Sequence, residues 1–500
     1  MPNVAFKRKE LTDALDKWGI VRDCLAGEKQ IKFRKEKYLP APDASANATE
    51  KVQRYNAYLT RANFYNVTGR TLNGLVGQVF TKEPSIELPP ELEFFENDVD
   101  GAGTNSVQQT KSTLADVLAV GRGGLLADFP SVPEGQIVSK ADIQSRRVRP
   151  RIIFYEAEKV INWRVTNHGG ETYLSLLVLE ESKVVSDDGF EFKSEPRWRV
   201  LYIENGAVYV AVYMESKGLQ GQARERYVID PDGGGPLLLR DYAARPFTRI
   251  PFEFIGAENN DSTVDESPLY ALATINVAHY RNSADLEESS FLSGQPTLIL
   301  SGIQEAWADK YLKDGVSLGS RNGILLNQGA SGQLLQAEPN NLPKELMKHK
   351  EEQMKALGAK LIEPGQIKGT ATEAAIEEAS ESSVLSSAAK NVSQAYEKII
   401  FHASKWLGEF NEEDIHFELN TEFDVARMSP QERQQLLAEW QGELITFGEA
   451  REQLRKKGIA FEDDEEARSI IEGESGFRDD LDESKGKKAG QEDDEGGGDE

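Results

Sequence analysis

The chain has 500 residues, 39% apolar and 28% charged, with 58 Lys and Arg against 84 Asp and Glu for a formal net charge of -26. At about 100–200 residues per domain this is two to four domains. A mean hydropathy of -0.52 and the lack of any run of about 20 apolar residues exclude a membrane-spanning helix. The single cysteine, Cys24, excludes a disulfide framework and a cysteine-based zinc site, and fits a reducing compartment. The first residues, MPNVAFKRKELTDALDKW, contain bases but no apolar stretch of the kind a secretory signal needs.

The first part, to about Ala127, has helical character. Val4–Leu25 and Val52–Val76 place apolar residues at mixed three and four spacing, with the Pro-, Ala- and Ser-rich YLPAPDASANAT between them. Pro84 blocks further helix, and a new helix is predicted over Ser106–Ala119. Gly121, Gly123 and Gly124 with Leu125, Leu126 and Ala127 read as a buried strand entered by a tight turn. From Arg149 to Ile255 the period changes to two. Strands are predicted over Arg151–Trp163, Thr172–Leu179, Trp198–Ile203 and Ala207–Met214, with NHGGE, SDDGF and ENGA as turns. This is a mostly antiparallel sheet, and no glycine-rich phosphate loop follows any of its strands.

Ser267 and Pro268 start a helix of about 25 residues, roughly 37 Å long. GQPTLILSG, the helical IQEAWADKYL and GILLNQGASGQLLQAEP follow as a short β-rich insertion. A second helix spans Leu342–Leu361, and a third is predicted over Thr372–Leu407, about 36 residues or ~54 Å. IHFELN is strand-like, and helices follow at Pro430–Thr446 and Phe447–Lys457. From Phe461 onward seventeen acids face five bases, and after Leu481 no apolar residue exceeds alanine, so 481–500 reads as a disordered acidic tail.

Catalytic chemistry is thin. His168, His279, His349, His402 and His416 are scattered, and none forms an HExxH pair. There is no GxSxG elbow and no P-loop. Carboxylate pairs such as Glu287-Glu288 and Glu377-Glu378 read as solvated helix faces in a chain with 84 acids. No catalytic residue, metal site or cofactor is expected. An architectural protein is the better reading, and a nuclease built from acids alone the weaker one.

On the first long helix Leu269, Leu272, Ile275, His279 and Leu286 fall near one face, with Ala271, Ala278 and Ala284 beside them. Leu269, Leu272, Ile275 and Ala278 are candidates for packing between subunits, and core packing within the chain accounts for the same stripe. Between the later helices, Gly365, Gln366, Ile367, Lys368 and Gly369 set one lysine between glycines, either as a mobile loop or as a plain inter-helix turn. No Lys/Arg-rich stripe is expected, so the body should bind duplex DNA weakly.

The order of these elements resembles the portal protein of tailed bacteriophages, a ring at the unique capsid vertex through which DNA is pumped. The resemblance is carried by RANFYNVTGRTLNGLVGQVF, SPLYALATINVAHYRNSADLE, GQPTLILSG, the stretch from NLPKELMKHK to NVSQAYEKII, and SPQERQQLLAEWQGELITFGEAREQLRKKGI. It covers most of the chain from Tyr55 to Ile459. The fold it implies is α+β. Residues 1–266 would form a wing (helical 1–127, β-rich 149–256), 267–292 and 339–362 two stem helices, and 293–338 a clip. Residues 363–371 would be a tunnel loop, so that Gly365–Gly369 line a DNA channel; 372–428 would hold a long kinked wing helix and the strand after it, and 429–480 a crown. The segment Gln304–Leu312 is an addition to that pattern, and strands within 322–337 belong either to the clip or to the wing. The resemblance implies a dodecamer in the virion, assembled in host cytoplasm. Its partners would be the terminase large subunit, a head–tail adaptor, capsid and scaffolding proteins, and double-stranded DNA, with no membrane. Another head–tail connector or a baseplate ring is the alternative structural role.

Overall fold

The structure is a computed structural model that describes residues 3–42, 48–130, 148–216, 227–230, 235–294, 297–311, 326, 328–336, 341–361, 383–421, 423, 430–442 and 444–456. The chain divides into two units, Met1–Thr421 and Glu422–Glu500.

The first unit opens with α1 (Lys9–Leu25) and α2 (Glu28–Phe33), separated by Gly27 at φ 85°. The single helical region expected over Val52–Val76 is two helices, α3 (Ala48–Arg61) and α4 (Val67–Val79). Asn66 makes the break: its side chain accepts the Gly69 amide at 2.8 Å and starts α4 as an N-cap. After β1 (Ser85–Glu87) and α5 (Phe94–Asn97), α6 (Ser106–Val120) runs into β2 (Arg122–Asp128) through Gly121. Gly121 has φ 84°, and a Cβ there would lie 2.7 Å from the Glu266 carbonyl oxygen, so only glycine makes this turn. The expected buried strand is present.

The strand expected over Arg151–Trp163 is divided by a short 3-10 turn, Ala157–Lys159, into β3 (Arg151–Glu156) and β4 (Val160–His168), which lie in different sheets. Then come β5 (Glu171–Asp187), β6 (Phe192–Glu204), β7 (Ala207–Glu215), β8 (Tyr227–Ile229), β9 (Leu237–Leu238) and β10 (Phe252–Gly256). A six-stranded antiparallel sheet has the order β4-β5-β6-β7-β8, with β9 also on β7; β10-β2-β3 form a second antiparallel sheet. An ionic cluster staples the two sheets. Glu181 of β5 accepts from Arg199 Nε of β6 (2.7 Å) and Tyr155 Oη of β3 (2.6 Å), while Arg199 also reaches Asp128 of β2 (3.2 Å). Burial opposes the Glu181 charge, but Arg199, Tyr155 and Arg197 hold its carboxyl below the usual range.

The chain continues through α7 (Tyr270–Ser293), β11 (Thr297–Ser301), α8 (Glu305–Tyr311), β12 (Ser331–Leu335), α9 (Leu342–Lys360), α10 (Val384–Ser404) and β13 (His416–Glu418). β13 pairs antiparallel with β1. The continuous helix expected over Thr372–Leu407 is not found. The described helix starts at Val384, because Ser383 has extended backbone (φ -61°, ψ 157°) and its hydroxyl accepts the Ser386 amide; residues 372–382 lie outside the described residues. α10 is the centre of the core. Leu385, Ala388, Ala389, Val392, Ala395, Tyr396, Ile399, Ile400 and Ala403 are all buried, against β10, β2, α6 and β13. The alanines let the sheet approach closely, and each buried Val or Ile contributes about 1.5–3 kcal/mol. Tyr396, fully enclosed, donates to Gln109 Oε1 (2.9 Å) and stacks on Phe417.

The second unit contains α11 (Pro430–Gln441) and α12 (Phe447–Lys456). α11 ends before the expected Thr446, which instead caps α12: its amide donates to Glu449 Oε2 (2.7 Å) and its hydroxyl accepts the Glu449 amide (3.2 Å). The acidic segment 481–500 lies outside the described residues. Antiparallel sheets and helices in separate stretches make the chain α+β, as the sequence pattern predicts.

Candidate functional site: a helix pair joined through a ribbon

α7 and α9 lie side by side. His279 Nε2 is 3.3 Å from Glu351 Oε1, and Lys350 Nζ donates to Asn282 Oδ1 at 2.6 Å. The higher number on α7 meets the lower number on α9, so the helices are antiparallel. At the far end β11 and β12 pair antiparallel from Thr297↔Leu335 to Ser301↔Ser331. β12 therefore belongs with β11 and not with the six-stranded sheet, and Gln336 Nε2 ties the ribbon to the Ser293 carbonyl (2.9 Å). At the near end the Leu385 amide donates to the Leu361 carbonyl (3.1 Å), so the borders of residues 362–382 meet.

The buried face of α7 is partly polar. Asn276, fully buried, accepts the Val67 amide (3.1 Å), the Thr68 amide (3.1 Å) and the Thr68 hydroxyl (3.0 Å), and donates to the Tyr65 carbonyl (2.8 Å). Ser283 accepts the Asn63 amide (3.2 Å). Asn276 and Ser283 hold the break between α3 and α4, and His279, at helical spacing between them, turns to Glu351 of α9. Sequence reading missed this polar row; the break signalled by Asn66 and Gly69 was its only mark. Tyr58 donates to Asp285 (2.7 Å), and Arg61 pairs with Glu288 and covers the Phe291 ring.

The predicted packing residues divide. Leu269 and Leu272 are buried within this chain at 0% and 1% exposure, while Ile275 and Ala278 keep part of their surface. Gly365, Gln366, Ile367, Lys368 and Gly369 lie outside the described residues.

α9 has five lysines against three glutamates, and Lys344, Lys348 and Lys355 are exposed. At 100° per residue they fall within an arc of about 40°. α7 carries Arg281 against Asp285, Glu287 and Glu288. The pair is thus basic on one helix and acidic on the other, inside a chain of charge -26. Burial pushes the Lys350 ammonium down from its ordinary value.

Three of the described histidines meet carboxylates, and His416 lies between two of them, Glu397 (3.4 Å) and Glu418 (3.5 Å). His279 meets Glu351, and His402 meets Glu253 at 3.1 Å. Among the described residues no group of three or more His, Cys, Asp or Glu could hold a metal ion. No described helix is long and apolar enough to cross a membrane.

A family profile described as a domain of unknown function, DUF4055, matches residues 268–407, the span from the start of α7 to the end of α10. No curated protein matches the sequence. Among solved structures, the chain is similar to one from "Neck of native GTA particle computed with C12 symmetry". The likeness has 13% identity over 78% of this chain and 89% of that one, at a TM-score of 0.38, too low to equate the two folds.

Proposed function

We propose that this chain is a portal-type subunit: one copy of a ring, in a tailed-phage-like particle, through which double-stranded DNA passes. The observation that carries the reading is the antiparallel pair α7–α9, closed at one end by the β11–β12 ribbon and rooted at the other beside the core helix α10. In this reading 1–266 is the wing, α7 and α9 the stem, 293–338 the clip, 363–371 the tunnel loop and 429–480 the crown. The partners are further copies of the chain, a terminase, a head–tail adaptor, and capsid and scaffolding proteins.

The chemistry of such a conduit is avoidance of grip. Each phosphate neutralised by a lysine or arginine adds salt-dependent affinity, and a strongly basic bore would hold DNA instead of passing it. A protomer of charge -26 limits that affinity, and the exposed Lys344, Lys348 and Lys355 of α9 supply short-lived contacts. Ile275 and Ala278, partly exposed on α7, are available for a neighbouring stem; Leu269 and Leu272 support the helix from within.

Negative-stain microscopy of the purified chain tests the proposal. Rings with a central hole are expected; discrete monomers at high concentration would reject it.

A further inference from the structure

The longest strands of the six-stranded sheet run beyond their neighbours. β4 pairs with β5 only as far as Leu179, and β7 pairs with β6 only from Arg197. Past those points β5 and β6 pair with each other alone, out to Asp187↔Phe192. The turn at the tip is locked. The Asp188 side chain accepts the Phe190 and Glu191 amides (2.9 and 2.6 Å), and the Asp187 side chain accepts the Gly189 amide (2.8 Å). This fixed turn presents Phe190 at 98% exposure, with Phe192 at 69%, among Asp187, Asp188 and Glu191. An aromatic side chain held almost wholly in water on a rigid tip is preorganised for a pocket.

A cavity of about 270 Å³ with the complementary chemistry lies elsewhere in the same unit. Its walls include Tyr242, Phe401 and Phe410, with Arg245, Arg249 and Lys405 as cations against Asp241 and Glu409 as anions. Arg245 is paired with Asp241 (2.8 Å) and Arg249 with Glu171. Lys405 is half-buried, lies 4.8 Å from the Phe401 ring centre, and meets no carboxylate at ion-pair distance among the described residues. Burial pushes its ammonium down from the ordinary value although Glu412 partly opposes this, and an incoming carboxylate would relieve the remaining cost.

The cavity and the tip stand at opposite ends of one strand. Arg249 pairs with Glu171, the first residue of β5, and the tip begins at Asp187, its last. At about 3.3 Å per residue they are roughly 50 Å apart, so a tip cannot reach the cavity of its own chain.

We propose that the hairpin tip of one copy seats Phe190 in the Tyr242–Phe401–Phe410 cavity of a second copy, with Asp187, Asp188 or Glu191 meeting Lys405. The contact is head-to-tail, so each copy offers one tip and one cavity, and repetition closes a ring where the rotation permits. It rests on the self-association in the portal reading and adds to it a specific interface.

Cysteine cross-linking tests the contact, because Cys24 is buried and the chain has no other cysteine. Phe192→Cys and Thr248→Cys, beside the tip and at the cavity rim, are made singly and together in the full chain, so that Phe190 stays in place. Under mild oxidation an equimolar mixture of the singles should give a reducible dimer, and the double variant a ladder of multimers. Lys405→Glu should lower the yield about tenfold or more, and adding Glu191→Lys should restore it. Dimers from Phe192→Cys alone would show that tips meet tips and would overturn the proposal. So would a mixture that yields no dimer while both singles keep wild-type melting. The mass of the unmodified chain by light scattering separates the two failures. A large oligomer without the cross-link rejects this contact alone, and a monomer at high concentration rejects the ring reading with it.

Discussion

Replacing Asn276 by leucine tests whether the polar row on α7 holds the helical break beneath the pair. The side chain is fully buried, and its Oδ1 serves three donors. The Val67 amide keeps a second acceptor in the Tyr65 carbonyl (2.8 Å), so the groups orphaned by Asn276→Leu are the Thr68 amide and hydroxyl. Each buried donor left unpaired costs about 1–3 kcal/mol, which puts the variant near 3 kcal/mol locally. Thr68→Val removes only the hydroxyl donor and leaves Oδ1 occupied by amides, at about 1 kcal/mol. Hydrogen exchange of the amides around Thr68 reads this directly. Protection should fall about a hundredfold in Asn276→Leu and several-fold in Thr68→Val. Equal losses in the two variants, or unchanged protection with Asn276→Leu, would refute the assignment of Asn276 as the clamp.

Further outcomes follow from the same geometry. Glu181 is held below its ordinary value of 4.5, so its ion pairs stabilise the fold above that pH and are lost as pH falls through the lowered value. Glu181→Gln should therefore lower the melting temperature at pH 7 and make progressively less difference below about pH 4, and an equal deficit at both would contradict this. Gly256→Ala places a Cβ 2.0 Å from the Asn259 carbonyl oxygen and 2.2 Å from Asp265 Oδ2. A loss of about 1–3 kcal/mol is expected in thermal or urea unfolding, whereas Gly170→Ala, at a glycine with open space beside it but φ 88°, should lose only the backbone strain. Lys368→Ala, in the proposed tunnel loop, should leave ring yield unchanged by microscopy and shorten the DNA retained in assembled particles; full-length DNA would reduce 363–371 to a connecting turn.

What could be read from residues alone follows from how loudly each element is marked. Gly121 before an apolar run and the alternation of Trp198–Ile203 announce their structures and stand where the spacing puts them. The helix expected from Ser267 and Pro268 instead begins at Tyr270, because the Ser267 hydroxyl donates to the Ala119 carbonyl instead of capping it. The break between α3 and α4 was hidden because helical spacing continues from Tyr55 and Tyr58 to Leu72 and Leu75 across it. Ala157–Lys159 was hidden because apolar residues flank the turn on both sides. The start of α10 was hidden because Ala- and Glu-rich residues before Ser383 have high helix propensity, and capping by a serine leaves little trace among five nearby serines. The site was half legible. The two helices and the ribbon follow from pattern, but Asn276 is unremarkable in a helix sequence until its four hydrogen bonds are seen.

Charge is the property that local pattern hides most, because its effect depends on which residues end up on one face. Counted along the chain, 84 acids outweigh 58 bases and suggest a surface that repels phosphate throughout. Wound into α9, Lys344, Lys348 and Lys355 come onto one exposed side, while Glu351 turns toward His279. Of the acids of α7, Glu288 is paired with Arg61, while Asp285 accepts the Tyr58 hydroxyl and keeps its charge. Counted together α7 and α9 carry six bases and six acids, so the pair is neutral and any attraction to phosphate is confined to the lysine line of α9. Screening completes the argument: at physiological salt the Debye length is about 8 Å, so a phosphate near α9 responds to those lysines and hardly to acids several turns away. A conduit can thus be acidic as a molecule and weakly attractive along a single line of each subunit, which suits contacts that must form and break as DNA advances.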